Sequence, residues 1–323
     1  MVMLETEKKI IEVNNMTIQF QSKTKEPFIA VNNISFHIKE GETYGLVGES
    51  GSGKSTTVRA IMNLVDITSG HILYKGNDIG NVSQRQFRKY RKELQMIFQE
   101  PISSLDPKKR VGQTLVEVLK IHKLYSPKER VYRCIEMLEK VGLAAEHFFK
   151  YPHQLSGGQA QRVCIARALI INPSVLVCDE PVSALDVSIQ AQIINLLLDL
   201  KKDMNLTQIF IAHDLSVVRH ISDRVGTMYL GNIVEEAPTD ALFSNPLHPY
   251  TQLLLKSVPT IDSFSAEESN PMKTETEIIE PSADNIGCKY KGICPFSMEK
   301  CQTVRPEWKE VKQEHFVACH LYE

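Results

Sequence analysis

Apolar residues recur with three different spacings along the chain, and each spacing predicts a different kind of element. They occupy alternate positions over residues 10–20 and 29–38, which predicts a pair of antiparallel strands. Short, mainly apolar runs, typical of strands buried on both faces of a sheet, lie at 44–48, 94–98 and 207–212, and a continuous one lies at 175–178. Helical spacing follows several of these runs. The pattern therefore predicts an α/β fold whose mixed sheet lies beside an antiparallel β subdomain.

The segment from residue 101 to 155 is almost entirely helical in pattern. Within it, Ser126 and Glu129 form a capping box with a proline between them, and Gly142 ends the predicted helix. We interpret this segment as a small helical insertion into the α/β core. A second, charged helix is predicted through Arg85–Lys92, with its basic side chains on a solvated face.

Length and charge narrow the class of protein. With 323 residues and 42% apolar composition, the chain can form one large core together with an insertion or a tail. A net charge of −2 leaves no electrostatic basis for binding nucleic acid, so we expect no nucleic-acid partner. The sequence contains neither a long apolar run nor a signal peptide, which predicts a cytoplasmic chain that does not cross a membrane.

A glycine-rich loop between a predicted strand and a predicted helix carries the first sign of chemistry. The loop comprises Gly48, Glu49, Ser50, Gly51, Ser52, Gly53, Lys54, Ser55 and Thr56. In this context its backbone N–H groups can surround phosphates, Lys54 can reach the terminal phosphates, and the Ser55 hydroxyl can bind Mg²⁺. The loop therefore predicts a nucleoside triphosphate site, against the less informative alternative of a surface turn.

Further candidate residues lie where predicted strands end. Asp179 and Glu180 close the apolar strand at 175–178, so Asp179 can join the Mg²⁺ shell and Glu180 can polarise a water. His213 follows the strand at 207–212 and can donate a hydrogen bond to a γ-phosphate, although a surface or capping histidine is the simpler interpretation. Phe20 can stack on an adenine ring or serve as an edge aromatic.

A second glycine-containing loop opens a predicted helix at 160–171. Its residues are Ser156, Gly157, Gly158 and Gln159. The position at a helix N-terminus makes the loop a possible anion site, but a loop of this composition can equally be an ordinary turn.

In their order and spacing, these motifs resemble the Walker A, Q-loop, signature, Walker B, D-loop and H-loop of ATP-binding-cassette (ABC) ATPases. The matching segments are 48–55, Gln99, 155–159, 179–180, 183–186 and His213. The resemblance covers about residues 10–260. It implies ATP and Mg²⁺ as ligands, Glu180 as catalytic base, His213 as γ-phosphate switch and Gln99 as a contact to Mg²⁺ and the attacking water. It also implies that Phe20 stacks on adenine and that Asp186 belongs to the D-loop.

The resemblance extends to quaternary structure and partners. In this family, Ser156–Gln159 of one chain closes over the ATP of the opposing subunit in a head-to-tail dimer. The segment 245–251, with His248-Pro-Tyr-Thr, is similar to that of oligopeptide/dipeptide importer ATPases, including the nickel-importing branch. The similarity implies two transmembrane permeases, an extracytoplasmic binding protein, a place on the cytoplasmic membrane face and a second, different ATPase chain. A homodimer, a metal-chelate importer and a soluble non-transport ABC ATPase remain alternatives.

The C-terminal end brings four cysteines close together: Cys288, Cys294, Cys301 and Cys319. In a cytoplasmic chain such a group favours metal ligation over disulfides, and the spacers exceed the about two to four residues usual for zinc pairs. We predict a [4Fe–4S] cluster, with Zn²⁺ second and four free thiols third. Ligation would also fold a tail that is too small for its own core.

The complete prediction divides the chain into five segments. These are 8–100 (first part of the ATPase core), 101–155 (helical signature subdomain), 156–259 (second part of the core), 260–285 (linker) and 286–323 (cysteine-rich tail).

Overall fold

The structure is a computed structural model that describes residues 8–21, 27–256 and 286–323. The predicted linker at 260–285 lies outside the described residues. The strands are β1 (Lys9–Phe20), β2 (Phe28–Lys39), β3 (Thr43–Val47), β4 (Ser69–Tyr74), β5 (Asn77–Asp78), β6 (Leu94–Ile97), β7 (Val175–Asp179), β8 (Thr207–Ile211), β9 (Arg224–Tyr229), β10 (Asn232–Pro238), β11 (Lys309–Lys312) and β12 (His315–Val317).

Helices connect these strands and form a separate layer around the larger sheet. They are α1 (Lys54–Ile61), α2 (Gln84–Phe87), α3 (Val111–Ile121), α4 (Pro127–Lys140), α5 (Gly157–Leu169), α6 (Val187–Met204), α7 (Leu215–Ile221), α8 (Thr239–Ser244), α9 (Pro249–Lys256) and α10 (Glu299–Thr303). Of the helices described here, none has both the length and the apolarity needed to cross a membrane.

Two sheets organise the fold. The smaller is antiparallel with strand order β2-β1-β4-β5, and the larger has the order β11-β12-β10-β9-β3-β8-β7-β6. Strands β9, β3, β8, β7 and β6 of the larger sheet run parallel, whereas β10 and β12 pair antiparallel. The predicted fold class, a mixed sheet with helices beside an antiparallel subdomain, is confirmed.

The central parallel strands are mostly apolar because both of their faces are covered. Every residue of β3, β7 and β8 is buried. One apolar cluster lies between the two sheets and includes Ile11, Leu46 and Ile61, while another joins the larger sheet to the helices. The carboxyl ends of β6, β7 and β8 therefore lie side by side at one edge, where polar residues can reach a ligand.

The helical insertion is built around α3 and α4. Ser126 caps α4 by accepting a hydrogen bond from the Glu129 backbone N–H, while Glu129 accepts one from Ser126, as the capping box predicts. The predicted single helix through Arg85–Lys92 is wrong. That segment forms the short α2 and a 3₁₀ turn, since Phe87 is its only buried side chain and a longer helix would have no further apolar face to pack.

The C-terminal tail extends the larger sheet. Strand β12 pairs with β10, matching Val317 with Glu235, and β11 pairs with β12. The buried Glu235 carboxylate accepts hydrogen bonds from the backbone N–H groups of Leu247 and His248, and it contacts His315 Nε2 of the tail at 2.7 Å. The tail is thus anchored to the core by backbone pairing and by a buried polar contact.

Candidate functional site

The glycine-rich loop has a backbone that side chains would not tolerate. Gly48 and Gly53 have φ values of 149° and 104°. A Cβ at Gly48 would lie 2.1 Å from the Met228 carbonyl oxygen, and one at Gly53 would lie 2.5 Å from that of Ala30. These glycines therefore let the loop pack tightly against β9 and β2 while α1 begins at the next residue, Lys54.

Lys54 lies inside the loop. Its buried amino group donates hydrogen bonds to the carbonyl oxygens of Gly48 at 2.8 Å and Glu49 at 2.7 Å. Burial lowers the pKa of Lys54, and the nearby acids Glu180, Asp179 and Glu49 partly offset that effect. An ammonium group that is poorly solvated and held over a helix N-terminus fits a phosphate ligand well.

Asp179 and Ser55 form a pair of oxygen groups beside Lys54. The Ser55 hydroxyl donates a hydrogen bond of 2.7 Å to Asp179 Oδ1, and the Asp179 carboxylate is almost completely buried. Arg59, which the sequence did not single out, places Nη2 at 3.6 Å from Asp179 Oδ2. A hydroxyl and a carboxylate in contact are the donor types that Mg²⁺ prefers, so these residues fit that ion.

Three polar side chains meet at the carboxyl ends of β6, β7 and β8. Gln99 Nε2 donates a hydrogen bond of 2.8 Å to Glu180 Oε2, and His213 Nδ1 lies 3.9 Å from the same oxygen. Glu180 has a φ of 49°, in the left-handed region that non-glycine residues seldom occupy. Strain of this kind is often found at functional sites, and here the strand end and the two partners hold the carboxylate in one position.

Other predicted site residues lie at the starts of α5 and α6. Ser156 caps α5 in a capping box with Gln159, and a Cβ added at Gly157 or Gly158 would meet Leu185 or Ile189. Asp186 precedes α6 and is exposed, as are Ser156 and Gly157. These residues lie near the start of α6, and among the described residues they make no hydrogen bond to Lys54 or Ser55.

Phe20 lies at the end of β1 and is 43% exposed. Its partner across the strand pair is Phe28, which is similarly exposed and which the sequence did not single out. Gly53 of the loop approaches Ala30, two residues further along β2. Phe20 and Phe28 thus form an exposed aromatic surface on β1 and β2, and β2 contacts the glycine-rich loop.

Family comparisons agree with this geometry. The pattern of the ABC transporter family matches residues 31–183, and that of the oligopeptide/dipeptide transporter C-terminal region matches 234–301. The oligopeptide transport ATP-binding protein AppF of Bacillus subtilis is 49% identical over 294 residues, which cover 91% of this chain and 89% of AppF. A putative peptide import ATP-binding protein of Brucella ovis is 42% identical over 97% of this chain and 98% of its own length.

The chain belongs to the ABC transporter ATP-binding family. Solved ABC structures share its fold. A dimeric ATP-binding cassette in a post-hydrolysis state with ADP and Pi has a TM-score of 0.64 and 30% identity, covering 71% of this chain and 98% of the other. The cbiO1 subunit of Clostridium perfringens, part of an ABC transporter complex, has a TM-score of 0.66 and 28% identity, covering 74% and 92%. The protein is therefore an ABC ATPase that hydrolyses ATP.

None of the four tail cysteines of this ABC ATPase forms a disulfide within the described residues. Within residues 8–21, 27–256 and 286–323, no three or more His, Cys, Asp or Glu side chains are arranged to hold a metal ion, so the predicted iron–sulfur or zinc site is not supported. Burial raises the pKa of Cys288 and Cys294 and raises that of Cys319 to about 11, which favours neutral thiols. The prediction assumed that the tail needed a metal to fold, whereas β-sheet pairing and packing against Tyr229 and Tyr250 hold it.

The His248-Pro-Tyr segment of the ABC subunit has a structural role that its sequence did not reveal. The Tyr250 hydroxyl accepts a hydrogen bond of 2.9 Å from the backbone N–H of Glu49, inside the glycine-rich loop. His248 Nδ1 accepts one from the Tyr250 backbone N–H, and the Tyr250 ring packs 4.5 Å from Tyr229 and 5.5 Å from Tyr290 of the tail. Tyr250 therefore joins the loop to the C-terminal region.

Tyr250→Phe is expected to weaken ATP binding to this ABC ATPase while the fold persists. The Glu49 N–H would lose a partner worth about 0.5–1.5 kcal/mol, which corresponds to a rise in Kd for ATP of about twofold to twelvefold. Titration of the variant with a fluorescent ATP analogue measures this change in Kd. Tyr290→Phe, which keeps the ring packing on Tyr250 and leaves the loop contact intact, is the matched control. Equal affinities for both variants would rule out a positioning role for the hydroxyl.

Proposed function

We propose that this subunit hydrolyses ATP to power import of oligopeptides or dipeptides through two transmembrane permeases, at the cytoplasmic face of the membrane. The observation that carries the proposal is the position of Gln99. Its side chain bonds to Glu180 at the site and also lines a groove of about 810 Å³ between the core and the helical insertion. One residue thus links the reacting end of the nucleotide site to an outer surface.

At the nucleotide site, each residue receives a role from its contacts. Lys54 and the loop N–H groups would bind the phosphates, and Ser55 with Asp179 would hold Mg²⁺. When bound, Mg²⁺ neutralises phosphate charge. Glu180 would accept a proton from the attacking water, which Gln99 helps to orient, and His213 would donate a hydrogen bond to the γ-phosphate. Phe20 would stack on the adenine.

The second loop would act on another subunit. Within the described part of the chain, the residues Ser156 to Gln159 and Asp186 make no hydrogen bond to Lys54, and Ser156 and Gly157 are exposed. A helix N-terminus placed against a γ-phosphate is stabilising only while that phosphate is present, which makes the dimer responsive to hydrolysis. A similar solved cassette is described as dimeric. We propose a second ATPase chain as the partner, with a homodimer as the alternative.

The groove beside Gln99 suits a helix of a permease. Its lining includes the exposed apolar side chains of Leu64, Phe98 and Ile121, of which Ile121 is 59% exposed. Exposed apolar residues that share one groove are typical of surfaces that bind a partner helix. The peptide substrate follows from relatives named for oligopeptide transport and peptide import, which match this chain over most of its length.

Co-expression with candidate permeases provides the test. We expect the complex to copurify and its ATPase rate to rise when binding protein loaded with a dipeptide or oligopeptide is added. Ile121→Arg should abolish copurification and leave the basal rate of the isolated subunit unchanged, because Ile121 lies outside the nucleotide site. If a Ni²⁺ chelate stimulates the ATPase rate and peptides do not, the transported substrate is a metal chelate and not a peptide. If Ile121→Arg copurifies with the permeases at wild-type yield, the groove is not the docking site.

A further inference from the structure

A cavity of about 470 Å³ lies where the C-terminal tail meets the core. Its wall combines residues of the antiparallel subdomain, such as Asn15 and Ser35, with residues of β10 and of the tail, such as Val234 and Arg305. The volume is in the range of sites that hold small molecules. The nucleotide loop at 48–56 contributes no lining residue, so the cavity is separate from the ATP site.

Arg305 gives the cavity a positive charge that is paired with no acid among the described residues; the lining also holds one acid, Glu307, and one further basic residue, Lys289. Its Nη2 atom donates hydrogen bonds to two uncharged oxygens, the Asn32 carbonyl at 3.3 Å and Asn232 Oδ1 at 3.0 Å. Burial is the cause that lowers the pKa of Arg305, and within the described part of the chain no charged neighbour adds to that shift. A partly buried cation held by neutral groups gains from an anionic ligand that forms two parallel hydrogen bonds with it.

The rest of the wall is largely apolar. Trp308 is 40% exposed and stacks on Phe316 with ring centroids 5.9 Å apart, while Tyr290 and Ile34 are buried. A small inorganic anion would leave this surface uncovered. We propose that the cavity binds a small organic carboxylate, whose charged group pairs with Arg305 and whose apolar body lies against Trp308 and Tyr290.

The cavity also has a physical connection to the ATP site. Two of its lining residues, His248 and Tyr290, contact Tyr250, whose hydroxyl bonds to the Glu49 N–H of the glycine-rich loop. A ligand that fixes Tyr290 would therefore act on the loop through a single intervening residue. This inference does not depend on which solute the transporter carries.

Trp308 makes binding directly measurable because it is the only tryptophan of the chain. The full-length protein, saturated with ADP to block the nucleotide site, is titrated with N-acetyl-L-leucine while Trp308 emission is recorded. N-acetyl-L-leucinamide is the matched ligand, with the same body but no charge. We expect saturable binding of the acid, with at least about tenfold weaker binding of the amide, because a charge-assisted pair of hydrogen bonds readily supplies such a factor.

Variants of Arg305 test the charge separately. Arg305→Gln should reduce affinity for the acid about tenfold and leave the amide unaffected, and Arg305→Lys should retain part of the affinity. Thermal unfolding shows whether each variant is folded. If Arg305→Gln does not fold, the comparison of acid and amide binding to the native chain tests the proposal. Equal binding of acid and amide, no saturable change with either, or binding of inorganic phosphate as tight as that of the acid would overturn the proposal.

Discussion

Replacing Glu180 by glutamine is expected to lower the ATP hydrolysis rate by a factor of about 10² to 10⁴, the contribution typical of a positioned general base. The amide keeps the size of the carboxylate and can still bond to Gln99, which lies 2.8 Å away, but it cannot take a proton from water. ATP affinity should stay at the wild-type value because Lys54 and Ser55 are unchanged. The variant should therefore accumulate as an ATP-bound dimer.

Single-turnover hydrolysis and light scattering in ATP and Mg²⁺ measure these two effects. Glu136→Gln makes the same chemical change on the exposed surface of α4, where Glu136 pairs with Arg133, and should behave as wild type. Hydrolysis by Glu180→Gln at the wild-type rate would remove Glu180 as the base. If Glu180→Gln loses hydrolysis but forms no lasting dimer in ATP, Glu180 is still the base, but ATP binding does not by itself hold the dimer together.

Gly157→Asp is expected to abolish turnover of the assembled transporter without damage to the subunit. A Cβ at Gly157 meets only the flexible Leu185 Cδ2 at 3.3 Å, and an acid in the first turn of α5 stabilises a helix by about 0.3–1 kcal/mol. In the proposed dimer, however, the new carboxylate faces the γ-phosphate of the partner's ATP. Like charges in contact cost several kcal/mol, so we expect at least about a hundredfold loss of ATPase rate.

Two measurements make this prediction specific. The thermal stability of the isolated Gly157→Asp chain should be at least that of wild type and its ATP affinity should be unchanged, whereas the ATPase rate of the complex should fall sharply. Gly157→Asn, which has the same shape without the charge, should retain much more activity. If the isolated Gly157→Asp chain binds ATP more weakly, the loop serves its own nucleotide and the arrangement across two subunits is refuted.

The parts of the site that could be predicted from the sequence are those whose positions follow from patterns within a few residues. The contact of Ser55 with Asp179 was predictable because a loop before a helix and an acid after a buried parallel strand both belong at the carboxyl edge of the sheet. The same reasoning placed Glu180 and His213 at strand ends, but only the structure showed that these strands and the one before Gln99 lie side by side. It could not find Tyr250, because the hydrogen bond from Glu49 to Tyr250 joins two residues that lie far apart along the chain, with most of the core sequence between them.

The tail shows the limit of reasoning from residue type alone. Four cysteines in a short segment favour a metal site, but that inference takes the segment to be isolated. In the structure, β12 pairs with β10, and Glu235 accepts hydrogen bonds from both the core and the tail, so the tail is stabilised by the core that it joins. Composition carries no information about such pairing, which needs the backbone of a strand formed elsewhere.

By itself, the sequence determined the alternation of strands and helices, the glycine-rich loop and the acids at strand ends, because periodicity, capping and turn chemistry act over a few residues. Tertiary structure decided which distant groups meet. It set Tyr250 against Glu49, left the Arg305 guanidinium beside neutral oxygens in a cavity, and placed Gly157 beside Leu185 near the start of α6. Such contacts arise from sheet order and packing, which bring together residues that no local pattern connects.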